Sequence, residues 1–394
     1  MSPRALDGIT VLALEHAVAA PVCTRNLADQ GARVIKIERP GVGDFARGYD
    51  TRVLGQSSYF VWANRSKESL TLNLKHNEAP PLLHALLERS DVLVQNLAPG
   101  ATARLGLSYD DLSARYPALI VCDISGYGDD GPYRDRKAYD LLVQAEAGLV
   151  AATGDGDMMA RAGFSAADVS AGMYAYAGVL NALLLRARTG RGSRVDVSML
   201  ETLAEWMGNP MYFTHAGQSP APRSGASHPS IAPYGPVATG DGQLLLLSVQ
   251  NEREWRRLCT EVLRDPSLAD DGRFSTNTVR TANRELLDAT ITACFANLTS
   301  EQAETQLLAA GIATARINSP ADLWHHPQLQ ARARWTTVHT PAGPISALRP
   351  PAQNSGYDAR MDPVPAVGEH TDALLAELGC GSTRIAALRA AGVV

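Results

Sequence analysis

Short apolar runs alternate with longer amphipathic segments through the first third of the chain. The apolar runs, rich in β-branched residues, predict strands at residues 9–14, 33–37, 91–95 and 118–122. The segments between them predict helices at residues 21–30, 78–89 and 109–115. Such alternation is typical of a parallel sheet covered by helices, so the pattern predicts an α/β fold.

The pattern changes in the second half of the chain. A helix is predicted at residues 169–187, followed by a strand at 194–198. Residues 208–235 are rich in Pro, Gly, Ser and His, which favours a linker. The apolar run at 242–249 then begins a second compact region of strands and helices. The length of 394 residues agrees with two or three domains.

Asp168 stands out because it is the only charged residue between Arg161 and Arg186. Its neighbours are small or apolar, and burying a carboxylate without a partner is costly. Ser165 and Asp168 have the spacing of a capping box, and Asp168 could also cap the helix itself. A carboxylate in the first turn of a helix stays ionised beside the helix dipole, which would make Asp168 a usable nucleophile.

Composition narrows the partners that the chain can have. Its net charge of −5, with acids and bases interspersed, gives no basic footprint for nucleic acid. The five cysteines form no CxxC pair, which fits a reducing cytoplasm and argues against a zinc site. No segment predicts a membrane span or a signal region. Gly41-Val42-Gly43 lacks the third glycine of a dinucleotide fingerprint, so we expect no nicotinamide cofactor. His325 and His326 have no third ligand at a recognisable spacing, so we expect no metal site.

Three cationic residues follow predicted strands or the loops after them, namely Arg39, Arg104 and Lys137. In an open α/β sheet, ligands gather beyond the carboxyl ends of the strands. Three cations at that edge could bind a phosphorylated ligand. Each could equally be a solvated surface charge, and the spacing alone does not decide between the two readings.

Several motifs occur in an order that points to a family. The chain resembles the class III coenzyme A transferases, a family that includes formyl-CoA transferase and carnitine CoA-transferase and is related to α-methylacyl-CoA racemase. The stretches that carry the resemblance are Leu6–Leu12, Gly31–Asp44, Asn64–Leu70, Asp91–Gly100, Thr189–Gly192 and Gly368–Asp372. They span nearly the whole chain.

The resemblance implies that Asp168 is the catalytic residue of an acyl-CoA:carboxylate CoA-transferase. In such enzymes the aspartate attacks the donor thioester and gives a mixed anhydride. The released CoA thiolate converts this anhydride to an aspartyl-CoA thioester. The acceptor acid attacks in turn, and CoA returns to the acceptor's acyl group. The implied substrates are an acyl-CoA and a carboxylic acid.

The resemblance also implies contacts with the substrates. The positions that would contact coenzyme A are His16, Ala17, Ala19, Arg39, Leu72, Asn96, Leu97, Arg104 and Lys137. Val18, Tyr139 and Asp140 would lie beside the substrate pocket. Val18 stands where the formyl-CoA branch has a glutamine, so formyl or oxalyl specificity is not implied.

Two other functions stay open. The α-methylacyl-CoA racemases pair an acid with the histidine of a Gly-His-Asp motif, because removing and returning a proton needs two bases. This chain has Ala138-Tyr139-Asp140 at that place, and tyrosine, with a pKa of about 10, is a poor base at neutral pH. The second alternative is a non-catalytic CoA-binding protein, since motifs alone do not establish catalysis.

The architecture implied by the resemblance is a Rossmann-like large domain with a parallel sheet, a smaller α/β domain and an interlocked homodimer in the cytoplasm. The expected segments are a large domain at 1–205, a linker at 206–240, a small domain at 241–330, a linker at 331–357 and a C-terminal part at 358–394 that completes the large domain. Asn64–Ser69 and His228–Gly235 resemble members that use dicarboxylates, such as succinyl-CoA. Arg47 or Arg65 could hold the second carboxylate, or could equally be surface charges.

Overall fold

The computed structural model describes residues 3–394. The chain divides into two compact units. The first comprises the chain up to Leu149 together with Ala162–Asn209 and Ala331–Val394. The second comprises Val150–Arg161 and Pro210–Gln330. The amino-terminal and carboxyl-terminal parts of the chain therefore belong to the same unit.

The strands and helices follow in chain order. The strands are β1 (Thr10–Leu14), β2 (Arg33–Glu38), β3 (Lys67–Thr71), β4 (Val92–Gln95), β5 (Ile120–Ser125), β6 (Gly154–Asp155), β7 (Met158–Met159), β8 (Arg194–Ser198), β9 (Tyr234–Ala238), β10 (Leu244–Ser248), β11 (Ala313–Arg316), β12 (Trp335–Thr340) and β13 (Gly343–Leu348). The helices are α1 (Ala19–Asp29), α2 (Ser58–Ala63), α3 (Ala79–Leu87), α4 (Ala101–Arg104), α5 (Tyr109–Arg115), α6 (Asp140–Glu146), α7 (Leu149–Ala152), α8 (Ala166–Thr189), α9 (Met199–Trp206), α10 (Gly208–Phe213), α11 (Glu252–Arg257), α12 (Asn277–Ala282), α13 (Arg284–Phe295), α14 (Ser300–Ala309), α15 (Pro327–Ala331), α16 (Thr371–Glu377) and α17 (Ser382–Ala390).

A parallel sheet with the strand order β3-β2-β1-β4-β5-β8 forms the centre of the first unit. Successive side chains of a strand point to opposite faces of a sheet. In β1, Val11 and Ala13 join the core that α1 and α8 cover, whereas Leu12 and Leu14 join the core that α3, α16 and α17 cover. Both faces of the sheet are therefore buried under helices, and the predicted α/β fold is confirmed.

The second unit contains a three-stranded antiparallel sheet in the order β11-β10-β9. Leu245 and Leu247 of β10 are fully buried in a core that includes Trp255. β9 contains Pro236 and lies at the edge of the sheet, where a residue without an N–H is tolerated. The stretch 206–240, which composition predicts as a linker, thus contributes a strand to this unit. The stretch 331–357 likewise contains the β12–β13 hairpin, in the first unit.

Helices α1 and α8 approach each other closely at a glycine. A Cβ atom on Gly172 of α8 would lie 2.6 Å from the carbonyl oxygen of Ala19 and 2.9 Å from the Cβ atom of Val22, both in α1. Contacts this short are not tolerated between packed atoms, so a side chain at position 172 would push the two helices apart. Gly172 lies one helical turn beyond Asp168, which links this packing to the candidate nucleophile.

Gly172→Ala is expected to lower the free energy of unfolding by about 1–3 kcal/mol, because the added methyl group overpacks the α1–α8 contact. Denaturant unfolding of the two proteins measures the difference. Gly272→Ala is the matched control, since its Cβ atom would meet open space, and it should change stability by less than about 0.5 kcal/mol. Equal stability of Gly172→Ala and the unaltered chain would contradict the close α1–α8 packing.

Candidate active site

The loops after β1 and β4 diverge, because the strand order reverses between these two strands. Ligands of open α/β sheets bind at such a position. The His16 N–H donates to Oδ1 of Asn96 at 2.9 Å, and Nδ2 of Asn96 donates to the His16 carbonyl oxygen at 2.9 Å. Ala17 then adopts a left-handed backbone with φ 62°, and α1 begins at Ala19. These bonds hold the two loops together at the edge of the sheet.

An open cleft of about 460 Å³ lies along this carboxyl edge. Its walls come from the ends of β1 and β2 and from the segments that follow β1, β2, β3 and β4. Among the positions expected to contact coenzyme A, four line the cleft, namely His16, Arg39, Leu72 and Leu97. Lys75 adds a second cation to the wall. The cleft combines apolar walls with cations, which suits a phosphorylated ligand with an apolar portion.

The other expected CoA positions lie outside the cleft lining. Asn96 does not line the cleft itself, but it forms hydrogen bonds with the backbone of His16, which does. Arg104 is the last residue of α4, and Lys137 lies in an exposed loop between β5 and α6. Ala17 and Ala19 continue the turn after β1, and the Ala19 carbonyl oxygen faces Gly172.

Four buried charges support the turn after β1. Nζ of Lys36 lies 3.2 Å from Oε1 of Glu15 and 2.9 Å from Oδ2 of Asp44, and Nζ of Lys67 lies 2.7 Å from Oε1 of Glu15. Oδ1 of Asp44 accepts the Ala17 N–H at 3.2 Å. Burial alone would raise the pKa of Glu15, but the charges of Lys36 and Lys67 lower it to about 2. The left-handed turn is thus anchored to a buried cluster of two carboxyl and two amino groups.

Asp168 lies in the first turn of α8, but neither it nor Ser165 caps this helix. Ser165 occupies the N-cap position, and its side chain makes no capping hydrogen bond. The cap comes from another helix: Oδ1 of Asp140 in α6 accepts the Ala167 N–H at 2.8 Å and the Asp168 N–H at 3.3 Å. The capping interpretation of Ser165 and Asp168 is therefore wrong.

The carboxylate of Asp168 is partly buried and has no hydrogen-bond or ion-pair partner within residues 3–394. Burial, and then the negative charge of Asp140, raise the pKa of Asp168 to about 7. The expectation that the helix dipole keeps this group ionised is not met, because burial and the charge of Asp140 raise the pKa. Asp168 is therefore a partly buried carboxyl group without a structural partner.

A row of aromatic side chains runs from His16, in the wall of the cleft, to Tyr49 and Tyr59. The ring of His16 stacks on Phe45 with centroids 5.3 Å apart, Phe45 contacts Tyr49 at 5.8 Å, and Tyr49 meets the edge of Tyr59 at 5.4 Å. Burial, followed by the charges of Asp44 and Asp168, raises the pKa of Tyr49 to about 12. Tyr49 thus remains a neutral phenol at neutral pH, and the charge of Asp168 contributes to this.

The three expected substrate-pocket positions differ in exposure. The side chain of Tyr139 is 64% exposed and precedes α6. Val18 is buried with Val22 and Ala63 at the start of α1. Asp140 is occupied by the hydrogen bonds described above.

Arg47 and Arg65, the two arginines considered as holders of a second carboxylate, are both engaged within the fold. Arg47 forms two hydrogen bonds with the Glu38 carboxylate, at 2.8 and 2.7 Å. Arg65 forms two with Asp29, at 2.9 and 2.6 Å. A guanidinium paired in this way has little capacity left for a substrate carboxylate. That expectation is therefore wrong.

Comparison with known proteins identifies the family. The model of CoA-transferase family III matches residues 6–371. The chain belongs to CoA-transferase family III. A succinyl-CoA:glutarate CoA-transferase of Mus musculus is 34% identical over 96% of this chain and 87% of its own length. An acetyl-CoA:oxalate CoA-transferase of Acetobacter aceti is 36% identical over 89% of this chain and 90% of its own length. The crystal structure of a CaiB/BaiF family protein from Brucella suis has a TM-score of 0.85 and 33% identity, covering 95% of this chain and 100% of that one.

This family III CoA-transferase is an enzyme that transfers CoA, and CoA thioesters are its substrates. Acyl-CoA and carboxylate substrates fit the family and its named relatives. Within residues 3–394, no group of three His, Cys, Asp or Glu residues is arranged to hold a metal ion. No helix in the same range is long and apolar enough to cross a membrane.

Proposed function

We propose that this enzyme moves CoA from succinyl-CoA, or another dicarboxylyl-CoA donor, to a carboxylic acid acceptor through a covalent intermediate on Asp168. One observation carries the proposal: Asp168 is the charged side chain in the first turn of α8, and its carboxylate is left without a partner. A group used only for structure would be paired or hydrogen-bonded. An unpaired carboxylate can act as a nucleophile.

The proposed steps balance without a net gain or loss of protons. A carboxylate oxygen of Asp168 attacks the thioester carbon, the C–S bond breaks, and the CoA thiolate leaves with the electron pair. The thiolate attacks the aspartyl carbonyl of the mixed anhydride and releases the donor acid as a carboxylate. The acceptor carboxylate then displaces CoA from the aspartyl thioester. Finally CoA attacks the acceptor's acyl carbon and regenerates the Asp168 carboxylate.

The cleft is the proposed site for coenzyme A. Arg39 and Lys75 would bind phosphates, and Leu72 and Leu97 would pack against apolar parts of the molecule. His16, Ala17, Ala19 and Asn96 would shape the turn that the ligand passes on its way to Asp168. Arg104 and Lys137 would approach the ligand from outside the cleft lining. The chain of rings from His16 to Tyr49 supports a continuous path from the cleft to Asp168.

The preference for a dicarboxylyl-CoA donor is supported by the name of the succinyl-CoA:glutarate relative. The acetyl-CoA:oxalate relative is named for a dicarboxylate acceptor and not for a dicarboxylyl-CoA donor. A panel of donor CoA thioesters and acceptor acids, followed by mass spectrometry of the new thioester, tests the preference. We expect faster transfer from succinyl-CoA than from an acyl-CoA of equal length that lacks the terminal carboxylate. Equal rates with both donors would contradict a dicarboxylate site.

Racemisation of an acyl-CoA is the alternative activity, and an experiment must distinguish it from CoA transfer. A racemase needs a second base opposite the acid, and this chain has the exposed Tyr139 at the histidine position of the racemase motif. Incubating the enzyme with a 2-methylacyl-CoA in D₂O distinguishes the two reactions. We expect no deuterium at the α-carbon. Exchange at a rate comparable with CoA transfer would support racemisation instead.

The rate of transfer should depend on pH through Asp168. Only the deprotonated carboxylate can attack, and its pKa is raised to about 7. We therefore expect kcat/KM for the donor to rise with pH, with an inflection near neutrality and about a tenfold fall per pH unit well below it. Phosphate monoesters titrate near pH 6. Measuring CoA binding over the same pH range is the control that separates ionisation of the CoA phosphates from ionisation of Asp168. A kcat/KM that does not change with pH would contradict the role of Asp168.

We propose an interlocked homodimer in the cytoplasm as the working state of the enzyme. Large apolar side chains are exposed on α6 and α8, among them Leu141, Leu142, Leu184 and Leu185. Exposed apolar side chains of this size favour a protein–protein interface. Light scattering after size-exclusion chromatography should give twice the 42.0 kDa mass of the chain, and a mass of one chain would contradict the dimer.

A further inference from the structure

Gln144 is fully buried and makes three hydrogen bonds around the segment that leads into α8. Its Nε2 atom donates to Oδ2 of Asp140 at 2.7 Å and to the Phe164 carbonyl oxygen at 3.4 Å. Its Oε1 atom accepts the Ala162 N–H at 2.9 Å. Asp140 and Gln144 are four residues apart, so they lie on one face of α6. Two side chains of one helix thus hold the backbone just before Asp168.

Asp140 completes this arrangement with its second oxygen. Oδ2 is held by Gln144, while Oδ1 accepts the backbone N–H groups of Ala167 and Asp168. The hydrogen bond from Gln144 therefore fixes the orientation in which the Asp140 carboxylate caps α8. We call the pair Asp140 and Gln144 the α6 clamp.

The α6 clamp is an unusual way to satisfy a helix start. Ser165 stands at the N-cap position, and a serine hydroxyl is one of the preferred caps for the first N–H groups of a helix. A neutral cap would serve stability without placing a second negative charge beside Asp168. The fold instead uses the carboxylate of Asp140 and leaves the Ser165 side chain out of the cap.

We propose that Asp140 and Gln144 are positioning residues, which fix the backbone of Asp168 and occupy the N–H groups that would otherwise bind its carboxylate. A carboxylate that accepts strong hydrogen bonds is a weaker nucleophile than a free one, because its lone pairs are engaged. The clamp thus keeps the attacking oxygen unengaged and aimed by the first turn of α8. This inference rests on the proposed role of Asp168 as the nucleophile.

The charges around Asp168 make the inference testable by pH. Asp140, from α6, is the one charged group among residues 3–394 that shifts the titration of Asp168, in addition to burial. Tyr49 is the other titratable neighbour, and it stays neutral over the working range because its pKa is raised to about 12. Removing the charge of Asp140 should therefore ease ionisation of Asp168.

The charge is tested with Asp140→Asn, which keeps an acceptor oxygen, and with Asp140→Ser, which removes the charge and is too short to replace the cap. Both should move the inflection of the pH profile of kcat/KM to lower pH, by about one unit. Asp111→Asn is the matched control, because Asp111 also lies in the first turn of a helix, α5, and should leave the profile in place. If Asn or Ser at position 140 gives the profile and kcat of the unaltered enzyme, the clamp is only structural and the inference is wrong.

Positioning is tested separately with Gln144→Leu, and with Gln144→Glu in case the leucine variant does not fold. Either variant should lower kcat by about 10²-fold while donor KM changes by less than about twofold, since the donor site is intact and only the nucleophile is misplaced. A loss confined to KM, or none in a folded variant, would overturn the inference. Asp168→Ala separates the two proposals. If this variant retains transfer, the proposed role of Asp168 as the nucleophile is wrong. If it loses transfer while the Asp140 and Gln144 variants stay fully active, only the positioning role of the α6 clamp is wrong.

Discussion

Asp168→Ala is expected to lower the rate of CoA transfer by at least about 10⁴-fold, because it removes the nucleophile that carries the acyl group and then CoA. The cleft lies apart from the substituted carboxylate and is lined by other residues, so binding of CoA should persist. The measurements are steady-state transfer between succinyl-CoA and an acceptor acid, and calorimetric titration with CoA. Loss of transfer with retained binding also excludes a purely CoA-binding function.

Asp288→Ala is the matched control for this change. Asp288 lies in α13 of the second unit, and burial raises the pKa of its carboxyl as well. It resembles Asp168 in burial and charge but has no place in the proposed chemistry, so its replacement should leave kcat near that of the unaltered enzyme. Transfer that survives in Asp168→Ala would contradict the proposed mechanism, whatever the control shows.

Lys36→Met is expected to have the largest effect on stability, lowering the free energy of unfolding by about 3–5 kcal/mol. Lys36 is fully buried, and its ammonium group lies between the carboxylates of Glu15 and Asp44. Removing it leaves Asp44 without its charged partner in a buried site. Since Asp44 also anchors the Ala17 N–H, CoA affinity should fall together with stability. Denaturant unfolding and CoA titration measure the two effects.

Lys137→Met is the control for Lys36→Met in the unfolding experiment, because Lys137 is exposed and has no such partners. It should change stability by less than about 0.5 kcal/mol. Adding Asp44→Asn to Lys36→Met removes the uncompensated charge and should recover part of the stability. A Lys36→Met chain within about 1 kcal/mol of the original would show that the buried charges do not support the turn after β1.

The strands that the apolar pattern predicts are close to those observed. Residues 9–14, 33–37 and 91–95 correspond to β1, β2 and β4 within one residue at each end, and 118–122 overlaps β5. β3 escaped the pattern because it begins with Lys67, Glu68 and Ser69, whose polar groups are satisfied by distant residues. The polar sequence of such a strand predicts a loop, because the residues that pair with its side chains are distant in the chain.

The long helix α8 shows the limit of local capping rules. The sequence predicts a start at Val169, whereas the helix begins at Ala166. Its cap comes from Asp140, which is separated from it by more than a helix and a hairpin in the sequence. Local spacing offered Ser165 and Asp168 as caps, and neither performs that role. Only the tertiary fold reveals that Asp168 is left unpaired.

The site was partly visible in the sequence. The resemblance placed His16, Arg39 and Leu72, which the fold brings into one cleft. The buried network of Glu15, Lys36, Asp44 and Lys67 was missed, because its members come from four separate segments. One signal was present: Lys36 interrupts the apolar run of β2, where a lysine needs a buried partner.

The most direct test of the covalent role of Asp168 is to stop the reaction with acid while succinyl-CoA is turning over, digest the protein at low pH and locate the adduct by mass spectrometry. The account predicts a CoA thioester on the peptide that contains Asp168, and no adduct in Asp168→Ala. CoA attached to any other residue, or transfer that proceeds with no adduct on Asp168, would contradict it.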